Sequence, residues 1–410
     1  MNTKLKFAHL ADLHLGAWRE SKITKLNFIT FKKSVEFILN NNFDFVLFVG
    51  DIFNNAMPPI ELVEQVILEL KKLKNNNIPV YIVGGSHDYS NSGKSFLSLL
   101  EKVELLINVS NYKSINKKQL ELIKTKNENL KLNLCGISGK KKNLDKNIYL
   151  NLNKVKLEED YFNLFLFHCA LDDFKPNFMK NLKVELKKEF LPKGFDYYAG
   201  GHIHTFMEGK YESKPISYSG CLFPNNFFEM VCEKPGFNIC EFNFENKKLS
   251  IERKEIKTYK TEYLKLEFNL ESPVEARNKI FSKLEMLKIE GKIILLQFSG
   301  IIEGKISDMQ INKIVAELYD KGAYVVLKNT YKLTNSKMGD FEVILEKDIE
   351  NIETEIIKLN LKDSKTFEKD FNIINKVLNL NLSKNEEEKI SQFEERIIKI
   401  LDDVVENKVN

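Results

Sequence analysis

The stretch Phe43-Asp44-Phe45-Val46-Leu47-Phe48-Val49-Gly50-Asp51 decides the fold. Its apolar run, Phe45–Val49, is strand-sized and stops abruptly at a glycine and a carboxylate. An apolar run without alternation fits a strand buried on both faces, as in a parallel sheet covered by helices. The same pattern repeats on either side. Leu5–Leu10 reads as a strand, and a helical period follows through Leu26, Phe28, Phe31, Val35, Ile38 and Leu39. Pro58-Pro59 sits where a helix can start, and Leu62, Val66, Leu70 and Leu73 supply its stripe. Val80–Val83 predicts a third strand, closing on Gly84-Gly85. Later strands read at Leu132–Gly136, Leu164–His168, Tyr197–Gly201, Ile216–Gly220, Phe237–Phe244 and Leu249–Ile256. This later part is richer in strands, so the fold class expected is α/β, with two stacked sheets flanked by helices.

Residues 1–257 therefore read as one domain, with a break near Lys257–Thr261. Residues 258–335 read β-α-β-α-β, a small α/β unit of strands Tyr263–Phe268, Ile293–Phe298 and Tyr324–Leu327. Its first helix opens on Ser272-Pro273-Val274-Glu275, a capping box with proline at the first helical position. Its second is expected over Ile306–Tyr319. Residues 336–382 read as an acidic linker with an amphipathic helix, and 383–410 as a C-terminal helix. In that last helix Ile390, Phe393, Ile397, Leu401, Val404 and Val405 form an apolar stripe, which packs on its own domain or docks to a partner.

Composition narrows the class. A 43% hydrophobic chain of 410 residues excludes wholesale disorder. No apolar run is long enough to span a bilayer, and no apolar signal stretch precedes Asp12, so an intracellular, cytoplasmic protein is expected. Five cysteines, odd in number and without a CxxC pair, argue against a disulfide framework or a zinc ribbon. The net charge of +4 is uninformative, but its distribution is not. Residues 340–410 carry 11 Lys and Arg against 18 Asp and Glu, leaving 51 against 40 on the rest. A basic body suits an anionic substrate and an acidic tail another partner, although plain surface solvation reads equally well.

Histidine carries the chemistry. Five of the six histidines sit at strand ends, in Asp12-Leu13-His14, Gly85-Ser86-His87-Asp88, Phe167-His168 and Gly201-His202-Ile203-His204. Asp51 ends another strand, whereas His9 lies inside the first and reads as a core residue. Side chains at the carboxyl ends of neighbouring strands converge on one rim. Period-two geometry would turn both members of a DxH or HxH pair the same way. Imidazole and carboxylate without thiolate favour Mn²⁺, Fe or Zn²⁺ in an open site. So many donors exceed the needs of one metal, and two metals sharing a carboxylate fit better.

These motifs, with Asp12-Leu13-His14-Leu15-Gly16 and Gly50-Asp51-Ile52-Phe53, resemble the calcineurin-like metallophosphoesterases, and within them the SbcD/Mre double-strand-break repair nucleases. The resemblance implies a two-sheet metallophosphoesterase sandwich, a small DNA-capping domain and C-terminal ATPase-binding helices. It implies a DNA exo- and endonuclease using two Mn²⁺ or other divalent ions, with a metal-bridging hydroxide attacking phosphorus. Asp12, His14 and His204 would hold the first metal, His168 and His202 the second, and Asp51 would bridge them. Ser86 stands at the second metal, where the family usually has Asn. His87 would be general acid to the leaving oxygen or would stabilise phosphate charge, with Asp88 orienting it. Asn54 stands where archaeal and eukaryotic members often carry a strand-steering His. Residues 113–156 hold 12 lysines and 3 acids, and Lys140, Lys141 and Lys142 are candidates for phosphate contact. The implied partners are DNA, an SbcC/Rad-type ABC ATPase and a second copy of the chain. Two rival readings stand beside this one: a small-molecule (cyclic nucleotide) phosphodiesterase, and a catalytically weakened scaffold subunit.

Overall fold

The computed structural model describes residues 3–90, 93–116, 119–140, 146–153, 155–176, 184 and 186–336. Lys141, Lys142, the C-terminal helix expected over 383–410 and all but the first residue of the 336–382 segment lie outside the described residues.

The chain begins β1 (Lys4–Leu10), α1 (Ser21–Leu39), β2 (Phe45–Val49), α2 (Ile60–Asn75), β3 (Val80–Val83), α3 (Leu97–Lys102) and β4 (Ile107–Asn108). A short hairpin, β5 (Tyr112–Asn116) and β6 (Gln119–Leu122), precedes β7 (Thr125–Asn127), β8 (Leu132–Ile137), α4 (Lys146–Leu150) and β9 (Phe162–His168). Then come β10 (Tyr197–Gly201), β11 (Met207–Tyr211), β12 (Lys214–Tyr218), α5 (Phe227–Cys232), β13 (Gly236–Asn243) and β14 (Lys248–Glu255). The described chain ends with β15 (Thr261–Glu271), α6 (Pro273–Leu284), β16 (Ile293–Ile302), α7 (Ile311–Asp320) and β17 (Val325–Asn335).

Two six-stranded sheets form the sandwich, in the orders β14-β13-β1-β2-β3-β4 and β11-β12-β10-β9-β8-β7. The strands β1 to β4 are mutually parallel, and so are β8, β9, β10 and β12. Alternate residues of each strand divide between two cores, as the pleat requires. On β2, Phe45, Leu47 and Val49 face the other sheet, where they meet Leu164, Leu166 and Tyr197, while Val46 and Phe48 pack under α1 and α2. On β9, Phe165 and Phe167 point away into a third cluster with Tyr198 and Tyr218. Aromatic stacking adds to this burial: Phe7 lies 4.7 Å from Phe45, and Phe162 lies 3.9 Å from Phe242. Central strands β2 and β3 are therefore apolar on both faces, which is why no alternation shows there in the sequence.

The chain divides into two compact units. Among the described residues, the first is the chain up to Leu264 with Leu287–Leu296 and Val315–Asn329; the second is Lys265–Met286, Gln297–Ile314 and Thr330 to Ser336. In the first unit Ile293, Leu295 and Val325 pack with Ile23, Leu26, Phe223 and Met230. The capping box of Ser272 and Glu275 opens α6 as expected. The helix expected over Ile306–Tyr319 is instead a 3₁₀ turn, Ile306–Met309, and α7, separated by Gln310 at φ +55°. A left-handed residue cannot continue the helical ladder, and Gln310 gave no warning of that conformation.

His9 is fully buried, its Nδ1 2.7 Å from the hydroxyl of Tyr197, and burial lowers its pKa from 6.5 to about 3. The unfolded chain binds more protons between those values, so stability at His9 is present above pH 6.5 and is lost as pH falls toward 3. Each pH unit in that window costs about 1.4 kcal/mol. Urea denaturation at pH 7 and pH 5 is expected to show a smaller acid-induced loss for His9→Gln than for the native chain.

Candidate metal centre

All the predicted strand-end motifs fall on one edge of the sandwich, beyond the carboxyl ends of β1, β2, β3, β9 and β10. Backbone hydrogen bonds lock the first two loops together: Asp12 N–H donates to the Gly50 carbonyl at 3.1 Å, and His14 N–H to the Asp51 carbonyl at 2.9 Å. The loops turn sharply at the functional residues themselves. Asp12, His14, Asp51 and His202 all have positive φ, at 51°, 41°, 50° and 92°. Such conformations cost side-chain-bearing residues energy and persist where the surroundings impose them. The expectation that DxH and HxH use strand periodicity is thus corrected. Both pairs lie past their strand ends, and left-handed turns aim their side chains.

Three groups of donor atoms result, each within 4.8 Å: Asp12, His14 and His204; His14, Asp51 and His87; and Asp51, His168 and His202. His202 and His204 therefore join different groups, and Asp51 belongs to two. The Nε2 atoms of His14 and His204 face each other at 3.1 Å, and the Nε2 of His204 is 3.7 Å from Asp12 Oδ1. His168 Nε2 points between the carboxylates, 3.2 Å from Asp51 Oδ2 and 3.9 Å from Asp12 Oδ1. It is fully buried and makes no hydrogen bond of acceptable geometry. Lone pairs gathered in this way, on buried Asp12, His14, Asp51 and His168 with His87 and His202 exposed beside them, are the donor set a hard or borderline cation requires.

Neighbouring groups fix the rings. His168 Nδ1 donates to the Val49 carbonyl at 2.8 Å, leaving Nε2 free to coordinate. The Asp12 carboxylate accepts from His202 N–H at 2.9 Å, and Asp51 Oδ1 from His87 N–H at 2.8 Å. Burial drives the charge balance. It raises the pKa of Asp12 and lowers those of His14 and His202 to about 3 and 4. Asp51 is buried too, but the facing His168 outweighs burial and holds it low. His168 in turn is raised to about 10 and His204 to about 9 against burial, by Asp51 and by Glu229 respectively.

The remaining predicted residues lie at the rim. His87 is exposed, with Nδ1 2.8 Å from the Asn54 carbonyl, so Asn54 reaches the site through its backbone. Asp88 is buried and accepts from the backbone N–H groups of Gly85, Phe53 and Ile52. Its carboxyl is spent on tying two loops together, and burial raises its pKa to about 7. Ser86 is half-buried in the turn before His87. Gly139 packs so tightly on His168 that a Cβ there would lie 2.5 Å from its carbonyl oxygen, and Lys140, the next residue in sequence, is exposed. Sequence reasoning missed Glu229 on α5, 2.9 Å from His204 Nδ1. It stands 25 positions from its partner and in no motif, so nothing in the sequence marked it.

Residues 5–206, just under half of the chain, match the calcineurin-like phosphoesterase family. Within it the chain is similar to proteins of the SbcD/Mre type. It is similar to the DNA double-strand break repair protein Mre11 of Methanocaldococcus jannaschii, at 28% identity over 58% of this chain and 63% of that protein. With Mre11 of Methanococcus maripaludis it shares 30% identity over 49% of this chain and 52% of the relative. With that of Thermoplasma acidophilum it shares 23% over 76% and 82%. The first two matches span between half and two thirds of those relatives. The superfamily fold implies divalent metal ions, and the converging donors fit them. Among the described residues, no helix is long and apolar enough to cross a membrane.

Proposed function

We propose that this chain is a two-metal-dependent DNA nuclease, hydrolysing phosphodiesters as one subunit of an SbcCD/Mre-Rad-type repair complex. The observation that carries the reading is Asp51, whose Oδ2 lies 3.7 Å from His14 Nε2 of one donor group and 3.2 Å from His168 Nε2 of another, and so suits a bridge between two cations. Asp12, His14 and His204 would hold one ion, and His168 and His202 the other, with Ser86 a weaker neutral donor beside the second. Divalent cations bound there supply Lewis acidity toward a phosphodiester, and Mn²⁺ suits a set of nitrogen and oxygen donors.

The chain's own residues supply the rest. His87, exposed and fixed at Nδ1 by the Asn54 carbonyl, has Nε2 free to give a proton to the leaving oxygen or bond a phosphate oxygen. Asp88 keeps the loop bearing His87 against the loop bearing Asp51. Lys140 offers a positive charge to the phosphate backbone at the rim, with Lys141 and Lys142 following it in sequence. The relatives are described as DNA double-strand break repair proteins, which favours DNA as the substrate. An apolar stripe within residues 383–410 suits docking to an SbcC/Rad-type ATPase, and homodimerisation and cytoplasmic residence accompany the same reading.

The test uses the full chain, because a cut after Lys257 would strip Ile293, Leu295 and Val325 from the core of the first unit. Linear and hairpin-ended DNA are expected to be cleaved with Mn²⁺, with and without the ATPase, and to survive when a chelator is added. Hydrolysis of cyclic nucleotides or a chromogenic diester with DNA left intact would replace this reading with the small-molecule one. No hydrolysis of either, with metal bound, would favour a scaffold.

A further inference from the structure

The helix α5 contributes to the metal centre without supplying a ligand to it. Glu229 of this helix and Glu233 just past its end, four residues apart, grip consecutive residues of the loop after β10. Glu229 Oε1 is 2.9 Å from His204 Nδ1, and Glu233 Oε1 accepts from the Thr205 hydroxyl at 2.7 Å. Glu229 is itself held in place. Its Oε2 accepts from Asn225 N–H at 2.7 Å, its Oε1 from Asn226 Nδ2 at 2.5 Å, and its backbone N–H is capped by Asn226 Oδ1 at 3.0 Å. The loop is clamped from the other side too, where Cys221 N–H donates to the His204 carbonyl at 2.8 Å.

We infer that Glu229 is a positioning residue for the cation held by Asp12, His14 and His204. By accepting a hydrogen bond at His204 Nδ1 it puts the ring proton there and leaves the Nε2 lone pair facing Asp12 and His14. The carboxylate's charge also makes that lone pair a stronger donor. The other donor group has no such carboxylate behind its buried histidine: His168 Nδ1 is held by a neutral carbonyl, that of Val49. The two cation sites therefore differ in what stands behind their histidines, and loss of Glu229 acts on one of them. This inference rests on the two-metal reading.

The test is titration of the full chain with Mn²⁺, followed by calorimetry and by electron paramagnetic resonance of the bound ion, alongside the melting temperature of the metal-free protein. In Glu229→Gln, one of two Mn²⁺ sites is expected to weaken about 10- to 100-fold while the other keeps its affinity. Glu233→Gln, which leaves His204 Nδ1 its partner, is expected to bind both ions as the native chain does. Asn226→Ser keeps a helix cap but removes the amide that steadies Glu229, and a smaller weakening at the same site is expected. It serves if Glu229→Gln does not fold. Unchanged affinity at both sites in Glu229→Gln, or in Asn226→Ser where that variant stands in for it, overturns the inference and leaves Glu229 a structural residue. A native chain that binds no Mn²⁺ overturns the metal-centre reading instead.

Discussion

His87→Ala is expected to lower Mn²⁺-dependent DNA cleavage by about 10²- to 10⁴-fold, the range a positioned acid or base contributes. Bound Mn²⁺ is expected to stay at two per chain. The expectation comes from where His87 stands. Its neighbours His14 and Asp51 are buried to within 2% exposure, whereas His87 is exposed and open to a substrate at the rim. Its ring is held at Nδ1 by the Asn54 carbonyl, and its ring centroid is 4.8 Å from that of His14. A group so placed reaches phosphate oxygens without being needed to hold an ion. Its backbone N–H, which steadies Asp51, survives in alanine. Cleavage at the native rate would remove His87 from the chemistry, and loss of one Mn²⁺ would make it a ligand. Metal analysis and a cleavage assay on the same preparation separate these results.

The convergence of histidines and carboxylates was legible because that chemistry is concentrated at strand ends. An apolar run followed by Gly50-Asp51, or by Gly201-His202, announces both the strand and the functional turn, and the parallel topology brings such ends to one edge. The wrong detail was local. Asp12 and His14 were read as an extended pair, but left-handed backbone aims them. The pleat has a fixed period, whereas left-handed turns imposed by neighbouring loops leave no pattern in side-chain types. The β5–β6 hairpin escaped for a related reason. Tyr112–Asn116 is mostly exposed, with Tyr112 its one residue packed against a core cluster, so hydrophobicity does not mark it. The role of Asp88 was out of reach too, since two of its three partners are backbone amides of a loop more than thirty positions away. Glu229 shows the same limit from the side of the site. Ligands come in motifs because they share a loop, while a group that orients a ligand needs only to arrive there in space.

Gly201→Ala is expected to damage fold and site together. Gly201 ends β10, paired with His168 on β9, and lies against the end of β2. A Cβ there would lie 1.9 Å from the Val49 carbonyl oxygen and 2.8 Å from His168 Nδ1. The obstructing atom is backbone in a central strand, so no rotamer change relieves the clash and the sheets must part by about an ångström. Overpacking of this kind costs about 3 kcal/mol, or about 6–12 °C in melting temperature for a domain of this size. The displaced carbonyl is also the one that accepts the His168 Nδ1 hydrogen bond. With that bond broken the ring loses its fixed tautomer, and Mn²⁺ affinity at the Asp51, His168 and His202 group is expected to fall at least about tenfold. Gly200→Ala is the control. Its Cβ would meet the Phe167 ring at 2.7 Å and the Tyr218 ring at 3.0 Å, both side chains on the face away from the other sheet. That variant is expected to lose stability without losing a metal. Equal Mn²⁺ binding by Gly201→Ala and the native chain would mean that His168 does not depend on the Val49 carbonyl for its aim.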